Sequence, residues 1–148
     1  MSAATPALSH DTPPRIGALA SGALDAITDV PGVTVGHATH ASGDVQTGVT
    51  VVHAHGQDPY RHKVPAGVAV INGFGKSVGL LQLEELGQLE TPIALTNTFS
   101  TSAMAQAQIR ECGERNPETG RAWSTVNPLG LECNGGYLND IQRMVLGG

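Results

Sequence analysis

Aromatic side chains are scarce in this sequence. Phe, Trp and Tyr make up 3% of its 148 residues, so the interior is expected to be built from Val, Leu, Ile and Ala. Cysteine is scarcer still, with only Cys112 and Cys133. Two cysteines make no disulfide framework, and their spacing fits no zinc signature. Two reduced, buried thiols are expected. Basic residues are also few, eight Lys and Arg against 13 Asp and Glu, for a formal charge of −5. Phosphate binding needs clustered positive charge; here the Lys and Arg are scattered, and no nucleic-acid partner is expected. No apolar run approaches the roughly 20 residues that span a bilayer. The opening "MSAATPALSHDTPPR" has no basic start followed by an apolar run, so no secretory leader is read there. The expected setting is cytoplasmic, with no membrane partner.

Glycine, by contrast, is abundant. Nineteen are present, above an average usage of about 7%, and their clusters signal tight turns or close backbone approaches. Residues 1–14, rich in Ser, Thr and Pro, read as a flexible arm. An internal echo follows: "GVTVGHA" at 32–38 returns as "GVTVVHA" at 48–54. Alternating Val in both copies, with Ser42-Gly43-Asp44 between them, predicts an antiparallel hairpin. "HGQDPYRHKVP" at 55–65 reads as a polar loop. "AGVAVINGFGKS" at 66–77 reads as a strand buried on both faces. Residues 78–90 have helical composition interrupted by Gly79 and Gly87, and 91–100 read as a strand with a polar end. The firmest helix lies within 100–117, capped by Ser100 or Thr101 and stopped by Pro117. Residues 124–141 show no clear period. The sum is an α/β or α+β domain.

Chemistry is harder to read from the residues. His53 and His55 share a strand face, whereas His37 and His40 do not, and no acidic residue at ligand spacing joins either pair. No metal site is expected. "INGFGKS" falls short of a phosphate loop because Val70 stands where the first Gly must be. Ser100 and Ser102 have no base near them in sequence. That leaves "GLECNGGYLNDIQRMVLGG" at 130–148, where Glu132 and Tyr137 flank a Gly-Gly turn. A carboxylate can hold an ammonium, and a phenol can donate to an oxyanion. A solvated polar turn accounts for the same residues.

"ALDAITDVPGVTVGH", "GVTVVHAHG", "VINGFGKSVGLLQLEELGQLETPIALTNTFS" and "ECNGGYLNDI" resemble, in this order, the N-terminal part of the DmpA-type aminopeptidases, the L-aminopeptidase/D-esterases and β-peptidyl aminopeptidases. The resemblance covers about residues 15 to 142. It implies an α/β/β/α sandwich of the N-terminal-nucleophile type, with only its N-terminal (α-chain) part present in residues 15–148. It also implies self-cleavage of a precursor before a serine, which then serves as nucleophile. A β-chain would carry that serine, αβ heterodimers would assemble further, and no cofactor would be required. By the same resemblance, Glu132 binds the free amino group of a peptide, amide or ester substrate. Tyr137 is a donor to the oxyanion or a proton partner, a feature of the L-aminopeptidase/D-esterase branch. Asn72 and Asn97 line the pocket. Gly135 departs from the Asp common at its position. The family's serine lies far downstream, so this chain alone is expected to be incomplete and inactive. The alternative is a truncated, non-catalytic assembly or binding module of the same fold. Whether the closing Gly-Gly is a cleavage scar or a cut end stays open.

Overall fold

The computed structural model describes residues 16–146. The arm expected at 1–14 and the closing Gly-Gly lie outside the described residues.

The echoed segments form the expected hairpin. Strand β1 (Thr34–Ser42) runs antiparallel to β2 (Val45–His53), with Ser42 opposite Val45. Only Gly43 and Asp44 close the turn. Gly43 has φ +55°, a left-handed conformation that glycine adopts without steric cost. Three short strands follow: β3 (Val64–Pro65), β4 (Ser77–Val78) and, after helix α1 (Leu80–Leu86), β5 (Gln88–Leu89). Then come β6 (Ile93–Thr96), helix α2 (Thr101–Arg115) and β7 (Leu129–Glu132). The main sheet has the order β1-β2-β6-β7-β4, and β3 pairs only with β5. The neighbours β6 and β7 are parallel, and every other pairing is antiparallel. A parallel pair needs a crossover, and α2 supplies it.

The two helices cover opposite faces of the sheet. Thr101, Met104, Ala105, Gln108 and Cys112 form the buried stripe of α2, which packs on β4, β6 and β7. Gly130 leaves room for the Met104 side chain, which a Cβ at that position would strike. On the other face Leu83 of α1 meets Leu89 and Leu129, with Ala66, Val68, Leu80 and Ile93 around them. Residues 129 and 130 alternate across β7 as strand geometry requires. The molecule is therefore α/β, with one mixed sheet and few helices.

Several expectations need correction. Residues 66–77 do not form a doubly buried strand; only the flanking pairs β3 and β4 are in sheets. Ala66 and Val68 face the α1 cluster, while Val70, Ile71 and Phe74 are 60%, 97% and 81% exposed. An apolar run is buried on both faces only where a second layer covers it, and no described element does so. Gly79 and Gly87 do not interrupt a helix but bound it, at φ +87° and +62°. Neither Ser100 nor Thr101 caps α2 through its side chain. The Asn97 carboxamide oxygen takes Phe99 N and Ser100 N, both at 3.1 Å, because a 3-10 turn over Thr98–Ser100 leads into the helix. The helix does stop before Pro117, where Asn116 N bonds Cys112 O at 2.8 Å. The core is mostly Val, Leu and Ala, as expected, with exceptions. Tyr60 and Cys112 pack with Val126, and no Ile is fully buried among the described residues. Strand β7 was not expected at all.

Candidate active site

The parallel pair β6–β7 fixes where the polar residues gather. Thr96 stands opposite Glu132 at the carboxyl ends of the two strands, the end of a parallel sheet where α/β folds place their ligands. From Thr96 the chain enters the Asn97 cap. From Glu132 it turns out through Cys133, whose N–H bonds Thr96 O at 2.7 Å. Asn97 also donates its amide N–H to Thr47 Oγ1 at 2.8 Å, which ties this end to β2. Asn97 is buried and spends its side chain on structure.

Asn72 reaches the same region indirectly. Its Oδ1 accepts from Phe74 N (3.1 Å) and Gly75 N (3.3 Å), an Asx turn that shapes the "NGFGK" loop. A Cβ on Gly75 would lie 3.8 Å from Glu132 Oε1. Glu132 itself is half-buried, and its Oε2 is inaccessible to solvent and without a hydrogen-bond partner. A buried carboxylate oxygen left unpaired is costly, and a cation bonded to the same carboxylate would offset part of that cost.

Tyr137 stands apart from this cluster. Its side chain is fully exposed, at 105% of the reference area, and it bonds no described residue. It rides on a closed turn: Asn134 Oδ1 accepts Gly136 N at 3.0 Å, and Gly135 O accepts Leu138 N and Asn139 N at 2.8 and 2.9 Å. The structure thus brings Asn72, through its loop, beside Glu132, places Asn97 on the neighbouring strand end, and leaves Tyr137 projecting into solvent. Cys133 is exposed, against the expectation of two buried thiols, because β7 has already ended. Cys112 is buried, and burial pushes its thiol above the ordinary value.

A groove of about 470 Å³ runs along the hairpin beside this turn. Asn97, Asn134 and Asn139 line it, together with His37 and Thr50. His37 Nδ1 and Thr50 Oγ1 are 2.8 Å apart, as cross-strand partners on an exposed face. Among the described residues no carboxylate orients that imidazole, so the pair lacks the third member of a nucleophilic triad. Ser100 Oγ is buried with no partner. His55 accepts from Gln57 N at 3.1 Å through Nδ1 and donates from Nε2 to His62 O at 2.7 Å, which consumes both ring nitrogens. Among the described residues no three His, Cys, Asp or Glu side chains converge to hold a metal ion.

Sequence reasoning missed Asn139. It is buried, and its Oδ1 accepts Gln46 N at 3.0 Å from 93 residues away. Its local context, "YLND", gives no sign of the burial.

Comparison with known proteins gives the family of the chain. The pattern of Peptidase family S58 matches residues 25–147. The beta-peptidyl aminopeptidase BapA of Sphingosinicella xenopeptidilytica is 40% identical over 129 residues, 81% of this chain and 32% of its own length. A protein of known crystal structure from Pyrococcus horikoshii OT3 superposes with a TM-score of 0.83 at 45% identity, over 86% of this chain and 39% of that one. The L-aminopeptidase D-Ala-esterase/amidase of Ochrobactrum anthropi, described as a prototype for the serine aminopeptidases and a new variant among the Ntn-hydrolase fold, superposes at 0.76. It is 30% identical over 89% of this chain and 39% of its own. The chain belongs to Peptidase family S58. It spans about a third of the length of the curated relatives it matches. Among the described residues no helix is long and apolar enough to cross a membrane.

Proposed function

We propose that this chain is the α-chain portion of an aminopeptidase that removes N-terminal residues from peptides, amides or esters. The half-buried Glu132 carboxylate, one oxygen of it closed to solvent and unpaired, carries the reading. A substrate ammonium placed against it forms a charge-assisted hydrogen bond and holds the first residue's carbonyl at a fixed distance from the site. A chain with a blocked or internal nitrogen gains nothing there, so the enzyme trims ends.

The nucleophile is an N-terminal serine freed by self-cleavage and carried on a β-chain beyond this segment. Its hydroxyl attacks the scissile carbonyl, and its own α-amine takes the proton. The Tyr137 hydroxyl donates to the oxyanion of the tetrahedral intermediate. Collapse expels the amine or alcohol, which takes the proton from the α-ammonium, and leaves an acyl-serine that water then hydrolyses. Asn72 shapes the wall beside Glu132, and Asn97 holds the strand end next to it. No cofactor takes part. The exposed Ile71 and Phe74 (97% and 81%) fit a surface covered by the β-chain, in an oligomer of αβ heterodimers.

The test compares L-alanyl and β-alanyl p-nitroanilides with their N-acetyl forms on the complete protein. Intact mass should reveal a second chain beginning with Ser. The free amines should turn over at least ~100-fold faster, the scale of leaving a buried charge unpaired. Turnover by residues 1–148 alone, or equal rates for free and acetylated substrates, would sink the proposal. A complete protein that stays uncut and inert would favour the non-catalytic assembly module.

A further inference from the structure

We infer that Asn139 is the positioning residue that fixes the Tyr137 turn on the β1–β2 hairpin. Its catalytic consequence rests on the function proposed above; the clamp itself rests on geometry alone.

Strand β6 pairs with β2 only at Thr50, Val51 and Val52. Nearer the hairpin tip the outer edge of β2 still carries backbone donors and acceptors, which must find partners. Thr96 Oγ1 donates to Gly48 O at 3.1 Å, and residues 139 and 140 serve the positions nearest the tip. Asn139 Oδ1 accepts Gln46 N at 3.0 Å, and Asp140 N donates to Asp44 O at 2.8 Å. A side-chain amide and a main-chain N–H together stand in for one ladder step of a missing strand. Gln46 in turn donates from Nε2 to Gly43 O at 3.0 Å, which stiffens the tip that receives the clamp.

The consequence falls on Tyr137. Its turn is closed internally through Asn134 and Gly135, so the turn moves as one piece. Tyr137 has no bond of its own to the rest of the molecule. The buried Asn139 side chain, 8% exposed, therefore fixes where the backbone that carries the phenol sits. An oxyanion donor misplaced by about 1 Å can lose on the order of a hundredfold in rate. The hydroxyl acts on substrate; Asn139 acts only through it.

The test uses Asn139→Ala and Asn139→Asp in the complete protein, with amide exchange at Gln46 and steady-state kinetics as readouts. Asn139→Ala should speed Gln46 exchange and lower kcat by roughly tenfold, with KM within about twofold, as loss of one positioning bond predicts. Asn139→Asp keeps the acceptor oxygen and should recover most of both. Unchanged Gln46 exchange in Asn139→Ala overturns the inference. So does faster exchange with kcat intact, or a kcat loss that Asp does not restore. If the wild-type protein hydrolyses no aminoacyl amide, the functional reading fails separately, and Gln46 exchange alone decides the clamp.

Discussion

Lys63 Nζ lies 2.7 Å from Glu90 Oε1, and Glu90 is buried. The other carboxylate oxygen accepts Asn127 N and Nδ2 at 2.9 and 3.1 Å. One side chain thereby joins the 55–65 loop to the segment that leads into β7. Thr91 adds a second pin, its Oγ1 accepting Leu129 N at 2.9 Å. Loss of Glu90 leaves the Asn127 donors and the Lys63 ammonium unpaired. Glu90→Ala should cost roughly 2–4 kcal/mol. Lys63→Met should cost less, about 1–2 kcal/mol: the ammonium is a third exposed and partly screened, but its loss strands the buried Glu90 Oε1. Urea unfolding of the two variants checks the order.

The same carboxylate sets an acid limit. Burial raises its pKa, but the bonds from Lys63 and Asn127 outweigh burial, so the folded value lies below the ordinary one. A depressed carboxylate contributes its full stability above the unfolded pKa of about 4.3. That contribution disappears as pH falls through the lower folded value. Melting curves should show Glu90→Gln losing less stability than wild type below about pH 4.

Two glycines at the ends of α1 should respond differently to alanine. Gly79 has φ +87°, and a Cβ there would strike the Pro128 carbonyl. Gly87 has φ +62°, and its nearest atom, Ala66 O, is 3.6 Å away. Gly87→Ala should cost about 1–2 kcal/mol, the left-handed penalty alone. Gly79→Ala adds a backbone clash and should cost about 3 kcal/mol or more. Thermal unfolding separates the two.

The hairpin was legible because its information is local: alternating valines on either side of Ser42-Gly43-Asp44. So was the stop of α2 at Pro117. Gly79 and Gly87 were seen but misread, since a glycine inside a helical composition looks the same whether it breaks a helix or bounds one. Strand β7 offers only "LGLE", too short to show a period. At the site, the residues alone point to Glu132 but fit a solvated turn equally well, and only the family resemblance gives it a role. Its meeting with the Asn72 loop, and the Asn139–Gln46 bond, join residues far apart in sequence, and no local pattern encodes such contacts. The 66–77 run was misjudged because its exposed apolar face has no cover among the described residues.

The two cysteines give a quick check on the β7 end. Cys133 is exposed and Cys112 is buried, its thiol pushed up by burial. A thiol reagent at neutral pH should modify Cys133 at once and Cys112 only on unfolding, since the thiolate is the reactive form. Mass mapping of the labelled peptides reads this directly, and equal labelling would put the packing of α2 in error.

The most direct test of the central claim is the ratio of kcat/KM for a free-amine aminoacyl p-nitroanilide to that for its N-acetyl analogue. It is measured on the complete protein in wild type and in Glu132→Gln. If Glu132 holds the substrate ammonium, the substitution should lower that ratio by about a hundredfold, as loss of a buried charge partner predicts, and leave the rate on the acetylated substrate nearly unchanged. A ratio unmoved by Glu132→Gln would contradict the account.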